Sequence, residues 1–223
     1  RRGLRSQCAV ALLVAGLVLT PWTLRNYQVF GRLIPVKSNL AYELYQSQCL
    51  QADGLLQRST FNAHPYNASS REGQEYHQLG EIAFLEHKGE QFWQAVSANP
   101  REFVKRLGYR FLGATLWYVP FYRDEAMKHP WPTWLNRLIH PLPFLAMLVL
   151  LITAARQPLR DVQWTLIGLY LLYLLPYVVI SYYDRYAMPL VAAKALLVVW
   201  GIERLRSLRH GEERTGSTPG TYS

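Results

Sequence analysis

The stretch Val162–Ile202 decides the fold. It reads VQWTLIGLYLLYLLPYVVI over 162–180, the polar crest SYYDRY over 181–186, and AMPLVAAKALLVVWGI over 187–202. The first run has no charged residue and is long enough to cross a hydrocarbon core about 30 Å thick, which takes about 20 helical residues. The second holds one charge, Lys194. Lipid cannot satisfy an open backbone, so both arms read as helices, and the short crest makes them a tight hairpin. The tip of that hairpin is the place to look for chemistry.

Two more apolar runs, Cys8–Leu24 and Leu138–Ala155, bring the expected crossings to four. Half of the 223 residues are apolar and 17 % are charged, but the apolar ones gather in these runs and leave Arg25–Arg137 with the composition of a soluble segment. The expected fold is an all-α membrane protein. Residues 1–24 form a transmembrane helix with a basic flank, and 25–137 a partly helical extracytoplasmic segment. Residues 138–204 supply three transmembrane helices, and 205–223 a largely disordered tail.

Basic residues set the orientation. Arg1, Arg2 and Arg5 precede the first run, Arg156 and Arg160 link the second and third, and Arg204, Arg206, Arg209 and Arg214 follow the fourth. All three groups fall on the cytoplasmic side of an inner (plasma) membrane, with both termini cytoplasmic and the long segment and crest outside. The formal charge of +9 is dispersed or flanks apolar runs, which points to lipid headgroups rather than nucleic acid. Cys8 and Cys49 are poorly placed to pair. The first run ends in Thr20-Pro21-Trp22 without a small-residue cleavage site, so it reads as a retained helix, and the chain as the C-terminal part of something longer.

Within the long segment, Glu81–Ala98 places Ile82, Leu85, Gly89, Phe92 and Val96 on one helical face, with Glu81, Glu86, Lys88 and Glu90 largely elsewhere. Asn99-Pro100-Arg101-Glu102 restarts a helix: Asn99 caps, Pro100 takes the first position and Glu102 reaches back. That helix is expected to bury Phe103, Val104, Leu107 and Phe111. Leu107–Phe121 carries Arg110 and is too short to cross; it reads as an amphipathic helix at the interface, with Trp117, Tyr118 and Tyr122 among headgroups. Val36–Gln74 is polar and punctuated by turn residues, so irregular structure is expected there.

Arg25 ends the first crossing and Arg185 sits on the crest, which brings both to one depth on one face. Two guanidinium groups at that depth suit a lipid-linked phosphate; the competing reading is that each merely anchors a helix end. Lys194, about two turns into the last crossing, either faces a polar cavity or snorkels outward. His64, His77 and His87 show no metal-ligand spacing apart from His77 and Glu81, about one helical turn apart, so no metal is assigned.

Several stretches together carry a resemblance. They are Pro21-Trp22-Thr23-Leu24-Arg25-Asn26-Tyr27-Gln28-Val29-Phe30-Gly31, Pro35-Val36-Lys37-Ser38-Asn39 with Tyr42-Glu43-Leu44, His64-Pro65, Glu75-Tyr76, Leu79-Gly80-Glu81-Ile82-Ala83, Asn99-Pro100 leading to Phe103 and Arg110-Phe111, and Arg185-Tyr186 with Pro189. In order and spacing this resembles the C-terminal half of bacterial membrane glycosyltransferases of the GT-C type, family 39. These are the enzymes related to dolichyl-phosphate-mannose protein mannosyltransferases and to aminoarabinose transferases. The resemblance implies a polytopic transferase that takes a sugar from a polyprenyl-phosphate carrier on the outer face. Its catalytic carboxylate is expected in the N-terminal half, so no catalytic residue is assigned in this chain.

On this reading Arg25, Asn26, Tyr183, Arg185 and Tyr186 bind the donor phosphate and its headgroup, with Lys194 as a cavity charge. The expected partners are the polyprenyl-phosphate-linked sugar, membrane lipid, and the missing N-terminal half or a partner membrane subunit. No cofactor is expected in this chain, and a divalent cation is left open for the full-length enzyme. The alternative is a non-catalytic membrane subunit that binds a lipid carrier or a partner enzyme.

Overall fold

A computed structural model describes residues 2–34 and 38–216. Arg1, Pro35-Val36-Lys37 and the tail from Ser217 onward lie outside the described residues. The chain is helical, with α1 Arg2–Phe30, α2 Leu40–Tyr45 running into a π-helical turn Gln46–Leu50, α3 Arg58–Asn62, α4 Arg71–Leu79, α5 Glu81–Ala98 and α6 Pro100–Thr115. Then come α7 Arg123–Lys128, α8 Pro130–Ile139, α9 Leu142–Ile152, α10 Asp161–Val179, a 3-10 turn Asp184–Leu190 and α11 Val191–Gly216. Among the described residues the only β pairing is an isolated bridge between Leu55 and Tyr182. Among the described residues four segments are long and apolar enough to cross a membrane: Ala9–Phe30, Pro130–Ala155, Asp161–Val179 and Asp184–Arg209.

The crossings agree with the sequence in number and order, but their ends move. The first helix runs on past Leu24 to Phe30, through Pro21, and Gly31 with φ of 66° stops it. Thr20 and Thr23 hydroxyls donate to the Gly16 and Leu19 carbonyls around the proline. Arg25 and Asn26 therefore sit inside the helix rather than at its exit. The second crossing begins earlier than Leu138, because Pro130 opens α8 and Trp134, Leu135 and Leu138 extend its apolar pattern. The expected disorder after Arg204 gives way to helix as far as Gly216; Leu205 and Leu208 keep the helical repeat, and no proline intervenes before Pro219.

Two cores hold the molecule. The larger joins α9, α10 and α11 to α6 and to Leu55, through Met147, Leu150, Ile167, Tyr170, Leu174, Tyr182, Leu190 and Leu197. α9 and α11 approach closely where Gly201 meets Ala146: a Cβ added at Gly201 would stand 2.6 Å from the Ala146 Cβ. Gly201→Val is expected to push the pair apart and cost about 1–3 kcal/mol, read as a lower melting temperature in detergent. α1 takes little part in either core; only 6 % of its apolar window is buried.

The smaller core belongs to the segment between the first two crossings and packs Tyr42, Tyr45, Phe84 and Phe92. Its α5 has the expected bounds, but its buried stripe is centred on Phe84, Lys88 and Phe92. Lys88, expected on the solvated side, is only 1 % exposed. Its ammonium lies 2.5 Å from Glu72 and 2.8 Å from Glu75, and against the ring of Tyr45. Periodicity misplaced it because both carboxylates come from α4. The described part of the stretch expected to be irregular, 38–74, is likewise more ordered than expected: it contains α2, α3 and the start of α4, where the Ser70 hydroxyl accepts from Gly73 N–H. Gly80, with φ of 75°, breaks the chain between α4 and α5. His77 and Glu81 therefore lie on different helices and not one turn apart on a single one.

Burial alone would raise the Glu75 carboxyl, yet hydrogen bonds from Lys88 and His87 outweigh it and hold the group below its ordinary 4.5. The stability this supplies is complete above pH 4.5 and is lost as the pH falls through the lowered value. The melting temperature is expected to decline below that pH, and Glu75→Gln to flatten the decline.

Asn99 caps α6 as expected, its Oδ1 accepting from Glu102 N–H, with Pro100 at the first position. The Glu102 side chain does not reach back; it bonds Arg106 instead. α6 also presents a different face from the one expected. Val104 and Phe111 are exposed, whereas Arg110, Gly113, Ala114 and Thr115 are buried. The helix stops at Thr115, so it does not continue through Trp117 to Phe121, and Val119-Pro120 disfavours further helix. Arg110 turns inward to the end of α10, donating from Nε to Val178 O at 2.7 Å and from Nη2 to Val179 O at 3.2 Å. Burial, with the Arg106 charge adding to it, pulls this guanidinium down to about 10, so it stays a cation at neutral pH.

Candidate functional site

The hairpin tip is built by the 3-10 turn Asp184–Leu190, in which side chains three apart eclipse. Tyr183, which precedes the turn, and Tyr186 therefore face one way, and Arg185, Met188 and Val191 another. The tip is pinned to the preceding segment on two sides. Leu56 N–H donates to Tyr182 O at 2.9 Å, and the Ser47 hydroxyl donates to Ile180 O at 2.6 Å.

On the Arg185 side lies a cavity of about 820 Å³ between α8, α9 and α11. Leu142, Val191, Ala195, Val198 and Val199 line its body, and Arg185, Lys194, His140, Asn136, Asp184 and Tyr118 supply the polar groups. The polar groups are held by their neighbours. Tyr118 donates to Asp184 Oδ2 at 3.0 Å, Asp184 Oδ1 accepts from Arg185 N–H at 2.8 Å, and His140 Nε2 donates to Gly113 O at 3.0 Å. Burial, then the neighbouring Asp184 carboxylate, pushes the Tyr118 hydroxyl up to about 12, so it remains a proton donor. The cavity thus combines two cations with an apolar trough, the arrangement an anionic head on a hydrocarbon tail requires.

On the other side, Tyr183 and Tyr186 stand in a cleft of about 410 Å³ against α2, α3 and α5. Their rings lie 4.4 Å apart, with Phe121 5.1 Å and Phe61 5.9 Å from Tyr183. Burial raises the Tyr183 hydroxyl, against the opposing charge and hydrogen bond of Arg185.

The expected donor set is therefore distributed. Arg185 and Lys194 share one cavity, Tyr183 and Tyr186 share the neighbouring cleft, and the Arg185 charge acts on the Tyr183 hydroxyl between them. Arg25 lines neither. It is exposed on α1, stacks on Trp22 at 5.3 Å, and donates to Asn26 Oδ1 at 3.5 Å. Asn26, buried to 3 % exposure, donates to Ile34 O at 2.9 Å. Among the described residues no three His, Cys, Asp or Glu side chains gather as a metal site. His64 stacks between Phe61 and Tyr66, and His87 bonds Glu75.

The sequence reading does not assign Asp184, His140 or Tyr118 to the site: Asp184 is part of the crest, Tyr118 is placed among headgroups, and His140 is an ordinary polar residue beside an apolar run. Glu43 stands among the stretches that carry the resemblance but is given no role there; Asn39, four residues before it, donates to it at 3.0 Å. Comparisons with models of known families, with curated proteins and with solved structures found no match. The functional reading therefore rests on the geometry just described and on the motif-level resemblance.

Proposed function

We propose that this chain is part of an integral-membrane glycosyltransferase that moves a sugar from a polyprenyl-phosphate carrier to an acceptor on the outer face of the membrane. The observation that supports it is the pairing of Arg185 and Lys194 on a cavity of about 820 Å³ whose remaining walls are mostly apolar. A polyprenyl phosphate carries the same two chemistries, an anionic head and a long hydrocarbon chain. Cleavage of the bond from the anomeric carbon to oxygen leaves charge on the carrier phosphate. Fixed cations in a poorly hydrated trough stabilise that charge as it develops. Arg185 grips the phosphate by its fork, Lys194 adds a point charge deeper along the trough, and Tyr183 braces the Arg185 guanidinium.

Dodecyl phosphate binding to the purified protein in phosphatidylcholine nanodiscs tests this reading. Saturable binding that weakens as salt rises is expected, with dodecanol binding far less. Equal binding of dodecanol would remove the phosphate from the proposal.

A further inference from the structure

A second cavity adjoins the aromatic cleft. It is a groove of about 540 Å³ along the tip end of α10, lined by Leu172, Tyr173, Pro176, Tyr177 and Ile180. Asn39, Glu43 and Tyr186 line both cavities, so cleft and groove meet at the Glu43 carboxylate. That carboxylate is fixed in place: Oε2 accepts from Gln46 Nε2 at 2.6 Å and from the Ser181 hydroxyl at 3.0 Å, and Oε1 from Asn39 Nδ2 at 3.0 Å. The second carboxylate of the cleft, Glu81, accepts from Ser38 at 2.5 Å. The Oε1 of Gln46, a residue 3 % exposed in the cleft wall, has no donor among the described residues.

The geometry points to a binding site for an amphiphile with a hydroxyl-rich sugar head and no phosphate, its head in the cleft and its aliphatic chain in the groove. Tyrosine and phenylalanine rings offer flat apolar faces to a pyranose, as Tyr66, Phe61 and Tyr183 do here. Carboxylates and amides accept its hydroxyls at the rim. No lysine or arginine lines the cleft and Arg185 acts on it only at its Tyr183 edge, so a phosphate head would meet chiefly the Glu43 and Glu81 carboxylates, whereas the neighbouring cavity sets Arg185 and Lys194 against the single carboxylate of Asp184. The groove reaches the cleft from the apolar flank of a membrane crossing, which suits a ligand already resident in the bilayer. That this ligand is the acceptor rests on the transferase reading; that it binds here does not.

Two photoreactive probes separate the sites in nanodiscs: an octyl glucoside and an octyl phosphate, each with a diazirine at the end of the chain. The glucoside is expected to label 172–180 and to be displaced by plain octyl glucoside but not by octyl phosphate. Glu43→Gln and Tyr66→Ala should each reduce that labelling about fivefold or more, while Lys194→Met leaves it unchanged. Tyr66 is 88 % exposed, so its removal leaves the fold intact should Glu43→Gln disturb the tip. Octyl phosphate should show the converse, losing labelling of 191–199 in Lys194→Met and keeping it in Tyr66→Ala. Glucoside labelling spread over all crossings, or undiminished in both cleft variants, would overturn the sugar site. Failure of the phosphate arm alone would instead strike the donor cavity.

Discussion

Removing both cavity cations, by Arg185→Ala with Lys194→Met, is expected to slow sugar transfer from a polyprenyl-phosphate donor by about 100- to 1,000-fold, the loss typical of removing fixed charge stabilisation from a reacting oxyanion. The measurement is transfer of radiolabelled sugar in membranes, normalised to protein abundance. The loss should fall mainly on turnover, because charge on the carrier phosphate grows as the glycosidic bond breaks. Arg185→Lys should restore only part of the activity, since an ammonium cannot supply the two parallel hydrogen bonds of a guanidinium. Transfer unchanged by the double replacement would leave the cavity without a role in donor binding. Normal dodecyl phosphate binding in membranes that show no transfer would favour the carrier-binding subunit instead.

Replacing the buried Arg110 with methionine is expected to cost about 3–5 kcal/mol, because two carbonyls at the end of α10 lose their donors and the helix loses a cation at its negative end. The two carbonyls, Val178 and Val179, directly precede the tip. The damage should therefore be local as well as global. Hydrogen exchange at Leu56 N–H, which bonds Tyr182 O, should accelerate more than exchange in α5. Arg110→Lys should recover part of the stability, with one carbonyl served. A variant as stable as the parent would show that the contact between α6 and α10 is held by packing at Gly113 and Ala114 alone.

The four crossings were legible because hydrocarbon imposes a length and a composition that a local window of sequence can display. Helix starts marked by local chemistry were legible too, as Asn99-Pro100 shows. What escaped was set by remote partners. Lys88 and Arg110 are charges that periodicity assigns to a surface, yet each is buried by acceptors contributed from another element: Glu72 and Glu75 for the first, the carbonyls of 178 and 179 for the second. At the candidate site the sequence named the residues of the tip as one neighbourhood, and the structure divides them by side. A crest of six residues says nothing of the handedness with which it presents them, and only the 3-10 turn separates Arg185 from Tyr183 and Tyr186. Arg25 shows the opposite limit: a motif placed it, and the described residues give it only Trp22 and Asn26 as neighbours.

The three-residue repeat of that turn carries a constraint on how this region can change. A point replacement at 185 or 186 alters one cavity and largely spares the other. Inserting a single residue between Tyr183 and Arg185 would advance Arg185 and Tyr186 by about a third of a revolution, turning a cation toward the aromatic cleft and a tyrosine toward the apolar trough. Replacements at the tip should thus impair one ligand preference at a time, whereas an engineered one-residue insertion there should abolish both together.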